Sequence, residues 1–362
     1  MERKITSGKF LNMMTFSFLA LNFVSFSSQV SILIGTDGII PLLVSGGVMY
    51  GYLFLIIRLM MRDDRKSYYE VLISGLGKFV GRVVYFLHLC VIVYLYCYAI
   101  RIVTTQVSVY MLPGKNIYLI QGIFIFATVY SAQKGLRAMG NFCSVLLYPV
   151  IFMLAFLFFL SSDNMDIKNM LPIFTHGGSE YLRAIMHLLS YNFSGVLCVP
   201  FIIDEVNMAD SSISKKALWA FLSVAAIFSA YYVLCIGVLG VDTCRSIVFP
   251  AINIMHNSSS SGILLNRYEI IIVFIVVILY FLYCSLFLYS ALKGAGRMKK
   301  KGYLAYIVSF TGIFFILSLL NDKAAGEYIA KMLHMKGYLG YFFVVMIVLC
   351  VFLLWRKNEK KN

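Results

Sequence analysis

About ten runs of roughly 20 mostly apolar residues, each long enough to cross a hydrocarbon layer about 30 Å thick, fill this chain almost from end to end. They lie near residues 10–33, 38–60, 82–111, 117–132, 143–161, 183–204, 217–240, 268–292, 303–320 and 338–355. Lipid offers no hydrogen-bond partners, so each run must close its own backbone bonds as a helix. The expected fold is all-α: one polytopic transmembrane domain over residues 1–362. Only 13% of residues are charged, against about 25% in soluble domains, too few to cover a water-facing surface.

The net charge of +15 would suggest nucleic acid in a soluble protein. Here the basic residues sit in short clusters between apolar runs, as at Lys299-Lys300-Lys301. That is how charge sets topology against the cytoplasmic leaflet, and nucleic acid is not an expected partner. With the N-terminus inside, inner segments hold 22 Lys and Arg, outer segments hold 8, and Arg101 falls within a span. Both termini are therefore expected on the cytoplasmic side, which requires an even number of spans. The start of the chain shows no cleaved signal peptide. The outer loops 162–182 and 241–267 are long, and each carries a proline and an amphipathic stretch. They read either as surface helices that cap or gate a site or as plain connectors.

Ten spans divide into five plus five, with repeats at about 10–161 and 183–355. An odd number per half inverts the second relative to the first, an arrangement common among secondary transporters, whose discontinuous helices form the site near the midplane. The first span contains Ser25-Phe26-Ser27-Ser28, and the sixth contains Tyr191-Asn192-Phe193-Ser194-Gly195 followed by Pro200. Ser and Gly hold a helix weakly and Pro removes a donor. Two readings stand at these matching places: broken helices whose freed backbone groups hold a ligand, or close helix packing through small residues.

In the third span Tyr94, Tyr98, Arg101 and Thr105 share one helical face. An arginine at membrane depth is a candidate functional group, here a gate, unless it snorkels to the outer surface. Tyr280, Tyr283, Cys284 and Phe287 share a face of the eighth span, as an aromatic wall for a ligand or as core. Asp204 and Glu205 are expected as a solvated cluster beside Lys215 and Lys216. The eight cysteines, with no Cys-x-x-Cys pair, read as small buried hydrophobes. Neither metal nor cofactor is expected. No phosphate loop, nucleophile elbow or zinc-protease motif is present in the sequence, so the chain is not expected to be an enzyme.

Several stretches, in order, resemble one family. They are Leu76-Gly77-Lys78-Phe79-Val80-Gly81, Arg101, the run from Asn164 through Met170-Leu171-Pro172-Ile173-Phe174 to His176-Gly177, Val238-Leu239-Gly240 with Phe249-Pro250, and Asn266-Arg267-Tyr268-Glu269. The sequence is similar over nearly its whole length to the spore germination permeases, the membrane B subunits of GerA-type nutrient germinant receptors. The resemblance implies the LeuT-like fold of the amino acid–polyamine–organocation transporters, with helices 1 and 6 broken. It also implies residence in the spore inner membrane, partnership with A and C subunits, and binding of a small, often amino-acid, nutrient. An ion-coupled amino acid transporter is the other function this fold serves. The chain departs from the family pattern at Gly195, where an acidic residue is common, at Gly135-Leu136-Arg137 in place of Gly-x-Glu, and near Asp37, where Ile39 or a neighbour stands for a tryptophan. The nutrient is left open. The expected binding residues are Ser25, Phe26, Ser27, Ser28, Tyr98, Tyr191, Asn192, Phe193, Ser194, Gly195, Tyr280, Tyr283 and Cys284, with Arg101 as a gate.

Overall fold

A computed structural model describes residues 4–20, 23, 25–61, 67–191, 194–207, 213–258, 269–298 and 339–359. Apart from one isolated bridge, every regular element among them is helical. The expected ninth span, 303–320, lies outside the described residues.

The first span is broken. Helix α1 (Ser7–Ala20) stops, and α2 (Phe26–Ile34) begins after a turn that includes Phe23 and Ser25. Ser25 precedes α2 without a side-chain cap. A 3-10 turn over Gly35–Gly38 then leads into α3 (Ile39–Met61). Helix α4 (Tyr68–Leu76) starts with a capping box, in which Ser67 and Glu70 satisfy each other's backbone N–H groups. It is followed by α5 (Lys78–Tyr110).

Helix α6 (Ile117–Ser162) has 46 residues. A straight helix of that length would reach about 69 Å, over twice the apolar layer. Gly135, at φ 83° and ψ 172°, divides it into the expected fourth and fifth spans, a conformation that glycine adopts freely.

The sixth span is broken as well. Helix α7 (Gly178–Tyr191) gives way to a 3-10 turn over Ser194–Cys198, then α8 (Val199–Ile202) and a last 3-10 turn over Ile203–Glu205. The two halves are bent 46° apart. The chain continues through α9 (Ile213–Leu239), two short helices α10 (Val241–Ser246) and α11 (Pro250–Ser258), α12 (Glu269–Met298) and α13 (Leu339–Glu359). The loop 241–267 thus carries the short helices that its amphipathic stretch suggested. The loop 162–182 winds into one 3-10 turn, Ile167–Met170, before α7 begins.

The centre of the bundle is α1, of whose 14 residues 11 are buried, together with the wholly buried stretch Ser194–Ile202. Helices α6, α9 and α12 surround α1. On the periphery α6 exposes Phe126, Val145, Tyr148, Phe152 and Phe159, apolar faces that suit lipid and would not suit water. Seven of the eight cysteines are buried and all are unpaired thiols.

Candidate functional site

The two breaks meet. The last turn of α1 lies against the 194–198 turn so closely that a Cβ on Gly195 would stand 2.6 Å from Ser17 Oγ and 2.8 Å from the Ser17 carbonyl oxygen. Ser17 Oγ donates to the Gly195 carbonyl at 3.4 Å. Gly195 therefore serves close packing, the second of the two readings its sequence allowed.

Ser194, the neighbouring residue, behaves differently. Its hydroxyl lies beside the phenol of Tyr283 on α12. Both groups are fully buried, and beyond each other neither has a hydrogen-bond partner among the described residues. A wholly unpaired buried polar group costs about 1–3 kcal/mol, and two neutral hydroxyls with only each other as partner leave bonding capacity that a polar guest could use. Tyr283 stacks on Phe287 at 4.1 Å, which holds its ring. Tyr280 and Cys284 are buried in the same helix. Opposite them Cys97 of α5 faces Cys284, and Tyr98 is buried beside it in sequence. Ser194, Tyr283 and Cys284 thus meet at the core, and Tyr98 and Tyr280 are buried on the two helices beside them.

The serines of the first break divide. Ser25 is buried at the uncapped start of α2. Ser27 turns to Cys235 on α9, and Ser28 Oγ donates to the Arg245 carbonyl on α10 at 3.5 Å. These two anchor α2 to its neighbours and do not converge on Ser194, because helical spacing carries them to the outer side of α2. Phe26 packs edge-on against Phe228 at 4.8 Å, and Phe23 against Tyr231 at 4.7 Å. They form an aromatic block between the first break and α9. The backbone of Tyr191 ends α7, but Asn192 and Phe193 lie outside the described residues.

Arg101 occupies the C-terminal half of α5. Its Nη1 is buried and without a hydrogen-bond partner among the described residues, so the structure does not pair it with a gate residue. Thr104 and Thr105 hydroxyls donate to its carbonyl.

Polar locks cover both ends of the core. At the end that the charge count places outside, the loop after α6 is tied down at two points. Asp166 N–H and Asn169 Nδ2 donate to the Gly237 carbonyl at 3.0 and 2.8 Å. Farther along, Asp37 accepts from the N–H groups of Phe174 at 2.6 Å and Thr175 at 3.0 Å, with His176 Nδ1 at 3.2 Å. Arg245 Nε donates to the Ser31 carbonyl at 2.8 Å, bracing the end of α2. Burial pushes the neighbouring Cys244 thiol up to about 11, although Ser31 counteracts it, so this thiol is neutral and inert at physiological pH.

At the opposite end Lys293 of α12 pairs with Asp204 and with Glu205 Oε1, the latter at 2.6 Å. The side chains of Lys293 and Asp204 are only 14% and 12% exposed. The expectation that this cluster is solvated is corrected here, while the side chain of Lys215 lies outside the described ones. The end of the broken sixth span turns inward onto α12, a partner 89 residues away in sequence. Tyr289 donates to Glu205 at 2.9 Å. Ile5 forms a parallel bridge with Val206, tying the segment before α1 to the end of the sixth span.

His88 sits between lock and break. Its Nε2 meets the Leu197 carbonyl at 3.0 Å and its Nδ1 the Tyr68 hydroxyl at 3.0 Å. A carbonyl only accepts, so Nε2 carries the proton and Tyr68 donates to Nδ1. Sequence reasoning passed over this histidine, though a lone histidine on an apolar face opposite a broken helix was the available signal. Among the described residues no group of three or more His, Cys, Asp or Glu side chains is placed to hold a metal ion.

Comparisons with known proteins agree with this architecture. A family model described as spore germination protein matches residues 4–326. Spore germination protein A2 of Bacillus subtilis is 23% identical over 313 residues, 86% of this chain and 84% of that protein. Spore germination protein YndE of the same organism is 22% identical over 337 residues, 90% and 89% of the two chains. Among solved structures, a mutant of the Eremococcus coleocola manganese transporter superposes with a TM-score of 0.56 at 11% identity, covering 95% of this chain and 76% of that one. MHP1, a nucleobase-cation-symport-1 family transporter in a closed conformation with bromovinylhydantoin bound, gives a TM-score of 0.56 at 11% identity, covering 96% and 78%. These likenesses establish a LeuT-like transporter fold.

Proposed function

Because this chain belongs to the spore germination protein family, matched over residues 4–326, we propose that it is the nutrient-sensing membrane subunit of a germinant receptor. A small amino-acid-like molecule binds where the two broken helices meet and changes the balance between arrangements of the bundle. A ligand shifts such a balance only by its difference in affinity between the two states. The locks at Asp37 and at Lys293 are where the two arrangements would differ. The signal then passes to A and C partner subunits in the spore inner membrane, with both termini on the cytoplasmic side.

The observation that carries this reading is the pair of hydroxyls of Ser194 and Tyr283, buried at the sixth-span break with no partner beyond each other among the described residues. Ser25, Tyr98, Tyr280 and Cys284 complete the proposed lining. The test is binding of the standard amino acids to the purified full-length protein in nanodiscs. Tyr283→Phe and Ser194→Ala each remove one hydroxyl with little change of shape, and each is expected to weaken the best ligand about 5- to 10-fold. Unchanged affinity in both variants refutes the site.

An ion-coupled amino acid transporter is the second reading, supported by the fold shared with two transporters. Against proton coupling, Asp37 is the sole buried carboxylate among the described residues, and it is held by the loop after α6. Sustained uptake of a nutrient into proteoliposomes would decide for transport.

A further inference from the structure

Among the described residues the carboxylates that line the bundle are engaged, whereas one cation facing it is not. Asp37 is engaged by Phe174, Thr175 and His176, and Asp204 and Glu205 by Lys293. Arg101 pairs with no carboxylate among the described residues, and its Nη1 is buried without any acceptor. A guanidinium stays charged at any pH a protein meets. Arg101 as a whole is partly exposed, but its buried Nη1 face has no acceptor, and a guanidinium face so placed is stabilised when an anion is supplied to it.

Its position follows from the register between α5 and α12. Tyr85 Oη donates to the Gly294 carbonyl, and Cys97 faces Cys284. The two helices therefore run antiparallel, with Tyr98 level with Tyr283 and Arg101 level with Tyr280. Arg101 follows Cys97 by four residues, so it leaves α5 on nearly the face that meets α12. Along the helix axis its level is one turn, about 5 Å, outward from that of Tyr283, whose hydroxyl lies beside Ser194. Glu269, the first residue of α12, precedes Tyr280 by three turns, about 16 Å farther out along the axis.

We propose that Arg101 is the anion-recognition residue of the site and that its ligand carries a carboxylate. The carboxylate pairs with the guanidinium, while a hydrogen-bonding group about 5 Å away reaches the Ser194–Tyr283 hydroxyls. This rests on the site proposed above and deepens it, because it selects small carboxylates over uncharged nutrients such as sugars. It also assigns Arg101 a role in contact with the ligand in place of a gate.

The test uses the full-length protein in nanodiscs, the standard amino acids, their carboxamide counterparts, and glucose as an uncharged probe. In the wild type the best amino acid is expected to bind about 10- to 100-fold more tightly than its carboxamide. Arg101→Met is expected to abolish that preference by weakening the acid alone, with Arg101→Lys falling between. Should Arg101→Met fail to fold, the comparison of acid with amide in the wild type and in Arg101→Lys decides. Equal binding of acid and amide by the wild type overturns the proposal, as does an undiminished preference in Arg101→Met. If glucose binds, no amino acid does, and Tyr283→Phe weakens the glucose, Arg101 loses this role while the site survives. If ligand affinity is indifferent to Arg101, Ser194 and Tyr283 together, both fall.

Discussion

Gly195→Ala is a demanding test of how the two breaks meet. The added Cβ would lie 2.6 Å from Ser17 Oγ, 2.8 Å from Ser17 O and 3.0 Å from Ser17 C. Ordinary contact begins near 3.4 Å, so α1 and the 194–198 turn must separate by about half an ångström or more. Helix α1 is buried on nearly all sides and cannot yield without disturbing α6, α9 and α12. Overpacking of this kind costs about 1–3 kcal/mol. The assay is thermal unfolding of the purified protein in detergent, read by a thiol-reactive dye, since seven buried cysteines become reactive only on unfolding. Gly47→Ala on α3 is the control. Nothing lies within 4 Å of a Cβ there, and alanine in a helix interior is expected to be neutral or to stabilise by about 0.5–1 kcal/mol. The double variant Ser17→Gly/Gly195→Ala is not expected to recover, because two of the three close atoms are main chain. A Gly195→Ala protein that melts with Gly47→Ala, or full recovery in the double variant, would show the packing argument to be wrong. The same crowding explains why this chain has no room for the acidic residue that relatives are expected to carry at this position.

Two further outcomes follow from the locks. Lys293→Met leaves Asp204 and Glu205 without their cation. Loss approaching about 3 kcal/mol, the lower end for buried pairs, should loosen the end of the sixth span. A cysteine placed at Val206, now 1% exposed, should then react several-fold faster with a thiol reagent than in the Lys293 protein, and an unchanged rate would contradict the lock. Asp37→Asn exchanges one carboxylate oxygen for a donor. It should cost about 1–2 kcal/mol and release the loop, seen as faster hydrogen exchange at the Phe174 and Thr175 amides, whereas unaltered exchange there would mean the carboxylate does not hold it.

Much of this molecule could be read from the order of its residues. Apolar runs set the helices because lipid leaves the backbone no other partner, and the small polar clusters at Ser25 and Ser194 marked the two breaks because such residues hold a helix weakly. Those are local properties, carried by about 20 consecutive side chains. What the residue order left open is which faces meet. Ser27 and Ser28 looked like ligand groups but turn to α9 and α10, Asp204 and Glu205 close on the distant Lys293, and Gly195 is a packing contact while the hydroxyl of Ser194 beside it turns to Tyr283. Each of these depends on the register between helices far apart in the chain. Side-chain packing in the assembled bundle fixes that register, and no single segment encodes it.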